Sequence, residues 1–225
     1  SYGNSGAAYG VSSVEMTRSR ESRPAKKVET EPIAGGFLVR HGDQPMKTPG
    51  GAQMVLPSQA LAEAIADEWR DQGPRPKLEA LPFTRIAATA LDRIPPRRAG
   101  VLTELMAYAE TELVCHRASS PVALVARQQE VWQPLLDWLV WRFDAPLAIT
   151  VGVLPRAQSS SSLAALRHAL EQWDNFRLAG LSVAVAAAGS LVIGLALAEG
   201  RVDVDVAFAA AELDASYQIE QWGED

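Results

Sequence analysis

Three histidines, a single cysteine and scattered carboxylates are the side chains in this chain that could do chemistry. The most suggestive placement is Arg40-His41-Gly42, which closes the apolar run Phe37-Leu38-Val39. A histidine so placed can accept a phosphoryl group, and a neighbouring guanidinium can hold the phosphoryl oxygens. The reaction also requires a second histidine, a second arginine and an acidic proton donor. His116 is followed by Arg117, and His168 lies inside a helical pattern before Ala169, so neither supplies that second histidine in a suitable context. Cys115 and His116 are adjacent, and their side chains diverge if the segment is a strand, which argues against a Cys–His dyad. No two histidines have the spacing of a metal site on one helix or loop. No Gly-x-Ser-x-Gly, P-loop or GxGxxG motif occurs.

The RHG context resembles the signature of the histidine phosphatase and phosphoglycerate mutase superfamily. That superfamily alternates strands and helices, whereas this chain reads as mostly helical after residue 57. The phosphomonoesterase reading through Arg40-His41-Gly42 is therefore kept only as the alternative. In the competing reading Arg40 and His41 end a strand, and Gly42-Asp43 form a type II′ hairpin turn between His41 and Gln44.

The chain has 225 residues, 48% of them hydrophobic, with 21 basic and 27 acidic side chains and a net charge of −6. This is enough apolar material for one large domain or two small ones. The acidic balance argues against nucleic acid as a partner. One cysteine excludes an internal disulfide and fits a reducing compartment. The charge is uneven: residues 199–225 hold eight acids against Arg201, while residues 16–27 hold five bases. No cofactor or metal is expected.

Stepping along the chain, residues 1–27 are rich in Gly, Ser and Arg/Lys, and a flexible leader is expected there. It has no apolar core of a secretory signal. Residues 28–57 read as a small antiparallel β domain, from the runs FLVRH and QMVL and their Gly/Pro boundaries. Later strands near 113–117 and 147–154 are candidates to join it. Residues 58–225 read as a helical domain, giving an α+β fold. Ser58 is placed to cap a first helix with Leu61, Ile65 and Trp69 on one face, ended by Gly73-Pro74. Thr84 is expected to cap a second helix, stopped by Pro95-Pro96, and a third runs from about Arg97 to Glu110. A fourth starts at Ser120-Pro121, with Pro134 kinking or restarting it. Ser159 to Ser162 reads as a loop before a helix from Leu163 to Trp173.

Residues 178–198 carry no charge over 21 positions, a length that could span a bilayer. Nine of these positions are Leu, Ile or Val and the rest are Ala, Gly or Ser, with no aromatic or basic anchors at both ends. The expectation is one central helix of a soluble bundle, not a membrane span. Asp203 is placed to cap a final helix. On that helix Asp203, Asp214, Gln218 and Gln221 fall along one line, facing outward, while Val204, Phe208, Ala211, Ile219 and Trp222 form a line that can dock on the bundle.

Six segments, taken in order, resemble one family. They are GGFLVRHGDQPMKTPGG, VLPSQALAEAIADEW, LPFTRIAATALDRI, TELVCHRASSPVALVARQQEVWQPLLDW, GSLVIGLALAEGR and LDASYQIEQWGED. The family is the assembly chaperone for the α subunit of the ATP synthase catalytic head, from mitochondria and alphaproteobacteria. The resemblance covers about residues 26–225. It departs from the family at His41-Gly42-Asp43-Gln44, where Leu-Asp-Gly-Arg is usual, at Arg23-Pro24-Ala25-Lys26, and at Gln133, where an Asp is usual. It implies a noncatalytic chaperone that binds unassembled α subunit and yields it to β subunit, monomeric when free. The compartment would be the cytoplasm in a bacterium, which is favoured, or the mitochondrial matrix in a eukaryote. The family's critical acidic position matches Asp214, which with Gln218, Glu220 and Gln221 forms the expected partner-binding set. Trp69 matches a substitution-sensitive structural Trp, and Trp222 is expected to be structural as well.

Overall fold

Four short strands open the chain in the computed structural model, which describes residues 27–72, 77–152 and 156–223. β1 (Val28–Ile33) and β2 (Gly36–His41) form an antiparallel hairpin, and β3 (Gln44–Pro45) and β4 (Val55–Leu56) both pair antiparallel with β2. His41 faces Gln44 across the β2–β3 turn. Gly42 has φ of +64°, and Asp43 is not left-handed, which is the sign pattern of the expected type II′ turn. The leader expected over residues 1–27 falls, apart from Lys27, outside the described residues, as does Gly73-Pro74.

α1 (Gln59–Arg70) begins as expected: the Ser58 side chain accepts from the Leu61 amide. Ile65 and Ala66 are fully buried against Val39 and Leu56 of the sheet and Met54 beside β4. The core of the β region thus crosses the boundary expected at residue 57 and takes in α1 and Ala87.

The next helices differ from expectation. α2 (Pro82–Ala88) starts two residues before Thr84. It then passes through a π turn at Thr89–Arg93 straight into α3 (Ile94–Glu110). Pro95 and Pro96 do not stop a helix. They occupy the first turn of α3, where a missing N–H costs least, and the wider π turn before them absorbs the discontinuity. α4 (Val122–Phe143) runs through Pro134 without restarting.

Residues 113–117 form a short 3₁₀ turn, Leu113–Cys115, and a two-residue strand β5 (His116–Arg117). β5 pairs in parallel with β6 (Thr150–Val151). These late strands pair with each other and not with the N-terminal sheet. The expected strand over 147–154 shrinks to β6 among its described residues. Ser159 is an N-cap and not part of a loop: α5 (Ser160–Glu171) starts at the next serine.

The uncharged stretch 178–198 is two helices. α6 (Asn175–Ala188) ends at Gly189, whose φ of +64° suits a residue without Cβ, and α7 (Leu191–Ala198) restarts with Ser190 as its cap. Among the described residues no helix is long and apolar enough to cross a membrane. Asp203 caps α8 (Val204–Ala211) by accepting from Val206. The expected final helix breaks at Glu212, and α9 (Leu213–Trp222) follows.

The helical core joins Leu105 and Met106 of α3, Trp132, Leu136 and Leu139 of α4, Leu166 of α5, and Leu178 and Ile193 of α6 and α7. The protein is thus α+β: a small antiparallel sheet backed by α1, and a larger helical body.

Candidate partner-binding site

Arg40 and His41 lie at the sheet end, and each has a structural task. The Arg40 guanidinium pairs with Glu31 on β1 at 2.9 Å and donates to the Asp43 carbonyl at 3.0 Å, which braces the turn. The His41 ring packs against Trp69, centroid to centroid 5.7 Å. His116 and His168 lie on β5 and α5, elements of the helical body. Among the described residues no cluster of three or more His, Cys, Asp or Glu could hold a metal ion. Burial and the nearby Glu112 push the Cys115 thiol up to about 12, so it stays neutral and inert at ordinary pH.

The sequence blocks meet in pairs. Trp69 is half-buried, and its indole N–H donates to Thr84 Oγ1 at 3.0 Å. Glu68, the residue before it, accepts from the Thr84 amide at 2.9 Å and the Thr84 hydroxyl at 2.7 Å. α2 is therefore capped by a carboxylate from α1 and not by Thr84. Asp92, in the π turn, accepts from Thr48 Oγ1 at 2.6 Å and the Gly50 amide at 2.8 Å, which ties down the Lys47–Gly51 loop. Glu112 is fully buried and caps α7: it accepts from the Ser190 hydroxyl and from the Leu191 and Val192 amides at 3.0 and 3.2 Å.

The C-terminal helices rest on α4 through a third set of contacts. Leu213 and Tyr217 are the buried anchors of α9. Trp132 donates to the Ala210 carbonyl at 2.8 Å, satisfying the end of α8. Gln128 is buried; its Oε1 accepts from the Ala118 amide at 2.8 Å, and its Nε2 donates to Asp214 Oδ1 at 2.8 Å. Arg117 donates to the Val114 and Gln128 carbonyls at 2.8 and 3.0 Å, and its guanidinium lies 5.5 Å from the Trp132 ring. Further along α9, Glu220 takes a two-pronged pair with Arg127 at 2.9 and 3.0 Å, which holds its carboxyl below the usual range.

The expected set on α9 is thus partly engaged within the chain. Gln218 and Gln221 are exposed, Asp214 is half-buried, and Glu220 is exposed but paired. Asp203 does not share their helix, so the single line expected from Asp203 to Gln221 is broken at Glu212. The apolar line is also corrected. Phe208 is 68% exposed and Trp222 is 78% exposed, so Trp222 is not packed into the bundle and has no structural burial. The α4 partners Arg127 and Gln128 were missed from sequence. Their only local signal is the polar Arg127-Gln128-Gln129-Glu130 run inside an apolar helix pattern.

Such an arrangement defines a small α+β protein, with an acid-rich, amide-bearing helix pinned on a helical body. The family model described as ATP12 chaperone protein matches residues 23–140, and the chain belongs to that family, a family of chaperones in ATP synthase assembly. Two solved structures are similar over nearly the whole chain. One is Atp12 from Paracoccus denitrificans, 38% identical, with a TM-score of 0.83, covering 89% of this chain and 88% of that one. The other is a single-site mutant of P. denitrificans Atp12p, 38% identical, with a TM-score of 0.85, covering 91% and 87%. A mitochondrial relative, Protein atp12 of Schizosaccharomyces pombe, is 24% identical over 213 residues, 88% of this chain and 72% of that one.

Proposed function

We propose that this chaperone binds the unassembled α subunit of the ATP synthase catalytic head and yields it when β subunit arrives, without catalysing a reaction. The observation that carries the reading is α9: it projects Gln218 and Gln221 into solvent and holds Asp214 half-exposed, in a segment almost devoid of bases. Free α subunit exposes the apolar and arginine-bearing surfaces that β subunit later covers. An acidic residue beside amide side chains supplies opposite charge, sets register and disfavours wrong partners. Displacement by β subunit then follows from competition for one surface. The protein is monomeric when free, and acts in the cytoplasm of a bacterium or, in a eukaryote, in the mitochondrial matrix.

The test is titration of purified α subunit against the wild type and Asp214→Asn at low and moderate salt. Asn keeps an Oδ1 to accept from Gln128, so the melting temperature should not move. Affinity should fall by roughly 1–3 kcal/mol if the contact is partly desolvated. Equal affinities would remove Asp214 from the site, and a wild type that does not bind α subunit would overturn the reading. The phosphomonoesterase alternative predicts turnover that His41→Ala abolishes; the engagement of Arg40 with Glu31 and Asp43 weighs against it.

A further inference from the structure

α8 is built inside out. Its buried residues are Ala207 and Ala210, while its large side chains Val204, Val206 and Phe208 are 66%, 49% and 68% exposed. A helix normally turns its largest apolar residues inward. Here the small ones lie against the body, which sets the helix close to α6 and α7 and leaves the large ones for something else. Between these helices runs an almost wholly apolar groove of about 130 Å³, walled by Ala184 and Ala187 of α6, Leu197 of α7, and Val204, Phe208 and Ala211 of α8. That is close to the volume that takes up one aromatic ring in an engineered apolar cavity, about 150 Å³.

Among the described residues the one charged side chain lining the groove is Glu212, and two further acids stand on either side of Val204. Glu212 lines its end, Asp205 follows Val204 on the exposed side of α8, and Asp203 caps the helix. None of the three has an ion-pair partner among the described residues. From residue 201 to residue 223 there are five acids against one base, Arg201, which lines the neighbouring hollow with Val206 and Ala210 and not this groove. A bare apolar groove could take any greasy segment, but this rim selects an apolar segment flanked by Lys or Arg.

We infer that the α6–α7–α8 groove is a second docking site on the chaperone, occupied by an apolar, basic segment of the unassembled client, one large side chain of which seats between Ala184, Leu197 and Phe208. This rests on the proposed binding of α subunit. It adds an anchor on α8 to the polar contacts of α9, with which it is continuous through Glu212. The division of labour is physical. The groove provides apolar burial and slow release, whereas the acids raise the encounter rate and make it salt-dependent.

The experiment uses the full chain and purified α subunit. Phe208→Ser should weaken binding roughly 10–100-fold, the loss expected for an anchoring aromatic, with an unchanged melting temperature because Phe208 packs little in the free protein. Asp205→Asn with Glu212→Gln should slow association and flatten its salt dependence. Trp141→Ser removes another exposed aromatic, 81% accessible on α4 and outside this groove, and should leave affinity unchanged. Equal affinity of Phe208→Ser and wild type overturns the inference and leaves the α9 reading intact. A wild type that does not bind α subunit overturns both. Sedimentation equilibrium of the free protein supplies the remaining check: a wild-type dimer that Phe208→Ser converts to monomer makes the occupant a second copy of this chain and overturns the client assignment.

Discussion

Glu112 offers the sharpest quantitative test of how the helical body is held together. It is buried between the end of α3 and the start of α7, where it accepts from the Ser190 hydroxyl and the Val114, Leu191 and Val192 amides. Burial pushes its carboxyl from 4.5 to about 7, against the pull of those donors. A carboxyl whose folded value is raised holds its proton longer in the folded chain than in the unfolded one. Its contribution to stability is fully present below about pH 4.5, and it is lost as pH rises to about 7. The size of the shift corresponds to about 3 kcal/mol, or about 1.4 kcal/mol per pH unit inside that window. Glu112→Gln is the matched perturbation, because it keeps the shape and cannot ionise. Urea unfolding of both proteins from pH 4.5 to pH 8 cancels every other titrating group in the difference. Wild type should lose about 3 kcal/mol relative to Glu112→Gln across the window, and the difference should flatten above it. Parallel curves would refute the argument. Parallel curves are what a carboxyl kept ionised by the donors at the α7 terminus would give, since its gain in stability would lie below pH 4.5.

Three further outcomes are expected. Trp69→Arg removes the indole bond to Thr84 and the contact with His41, and should cost roughly 3 kcal/mol, read as a fall in chemical-denaturation midpoint or as insoluble protein; a soluble variant with unchanged midpoint would refute a packing role. Asp92→Ala leaves Thr48 and the Gly50 amide without their acceptor and should cost about 1–2 kcal/mol, with faster amide exchange confined to the Lys47–Gly51 loop. Gly194→Ala would set a methyl 2.5 Å from Val185 Cγ2 and 3.3 Å from the Val185 nitrogen. The overpacking of α6 on α7 should outweigh the gain in helix propensity and destabilise by about 1–2 kcal/mol, measured by urea unfolding.

What the sequence determined by itself was chiefly local. The caps at Ser58 and Asp203 were legible because a side-chain oxygen and the amide it accepts lie three residues apart. The II′ turn at Gly42-Asp43 was legible because backbone sterics alone demand Gly there. The α+β class followed from short Gly-bounded β runs before a long helical pattern, and the family from ordered blocks whose members turn out to touch: Trp69 with Thr84, Thr48 with Asp92, Gln128 with Asp214. Elements whose boundaries rest on competing local signals are not fixed by the sequence. A run without charge does not reveal whether it is one helix or two, and the break at Gly189-Ser190 inside 178–198 emerges only in the fold. Pro95-Pro96 looked like a stop because proline is equally at home just past one helix and in the first turn of the next. Tertiary structure alone decided the rest. Periodicity tells which residues share a face, but not whether anything lies against it. The line through Val204 and Phe208 has the pattern of a docking face for the bundle, while in the fold Ala207 and Ala210 take that place and the large side chains face solvent. The tie from Asp214 to Gln128 spans 86 residues, and no spacing rule reaches that far. Burial and long-range hydrogen bonding depend on which surfaces meet, and that is settled only when the whole chain has packed.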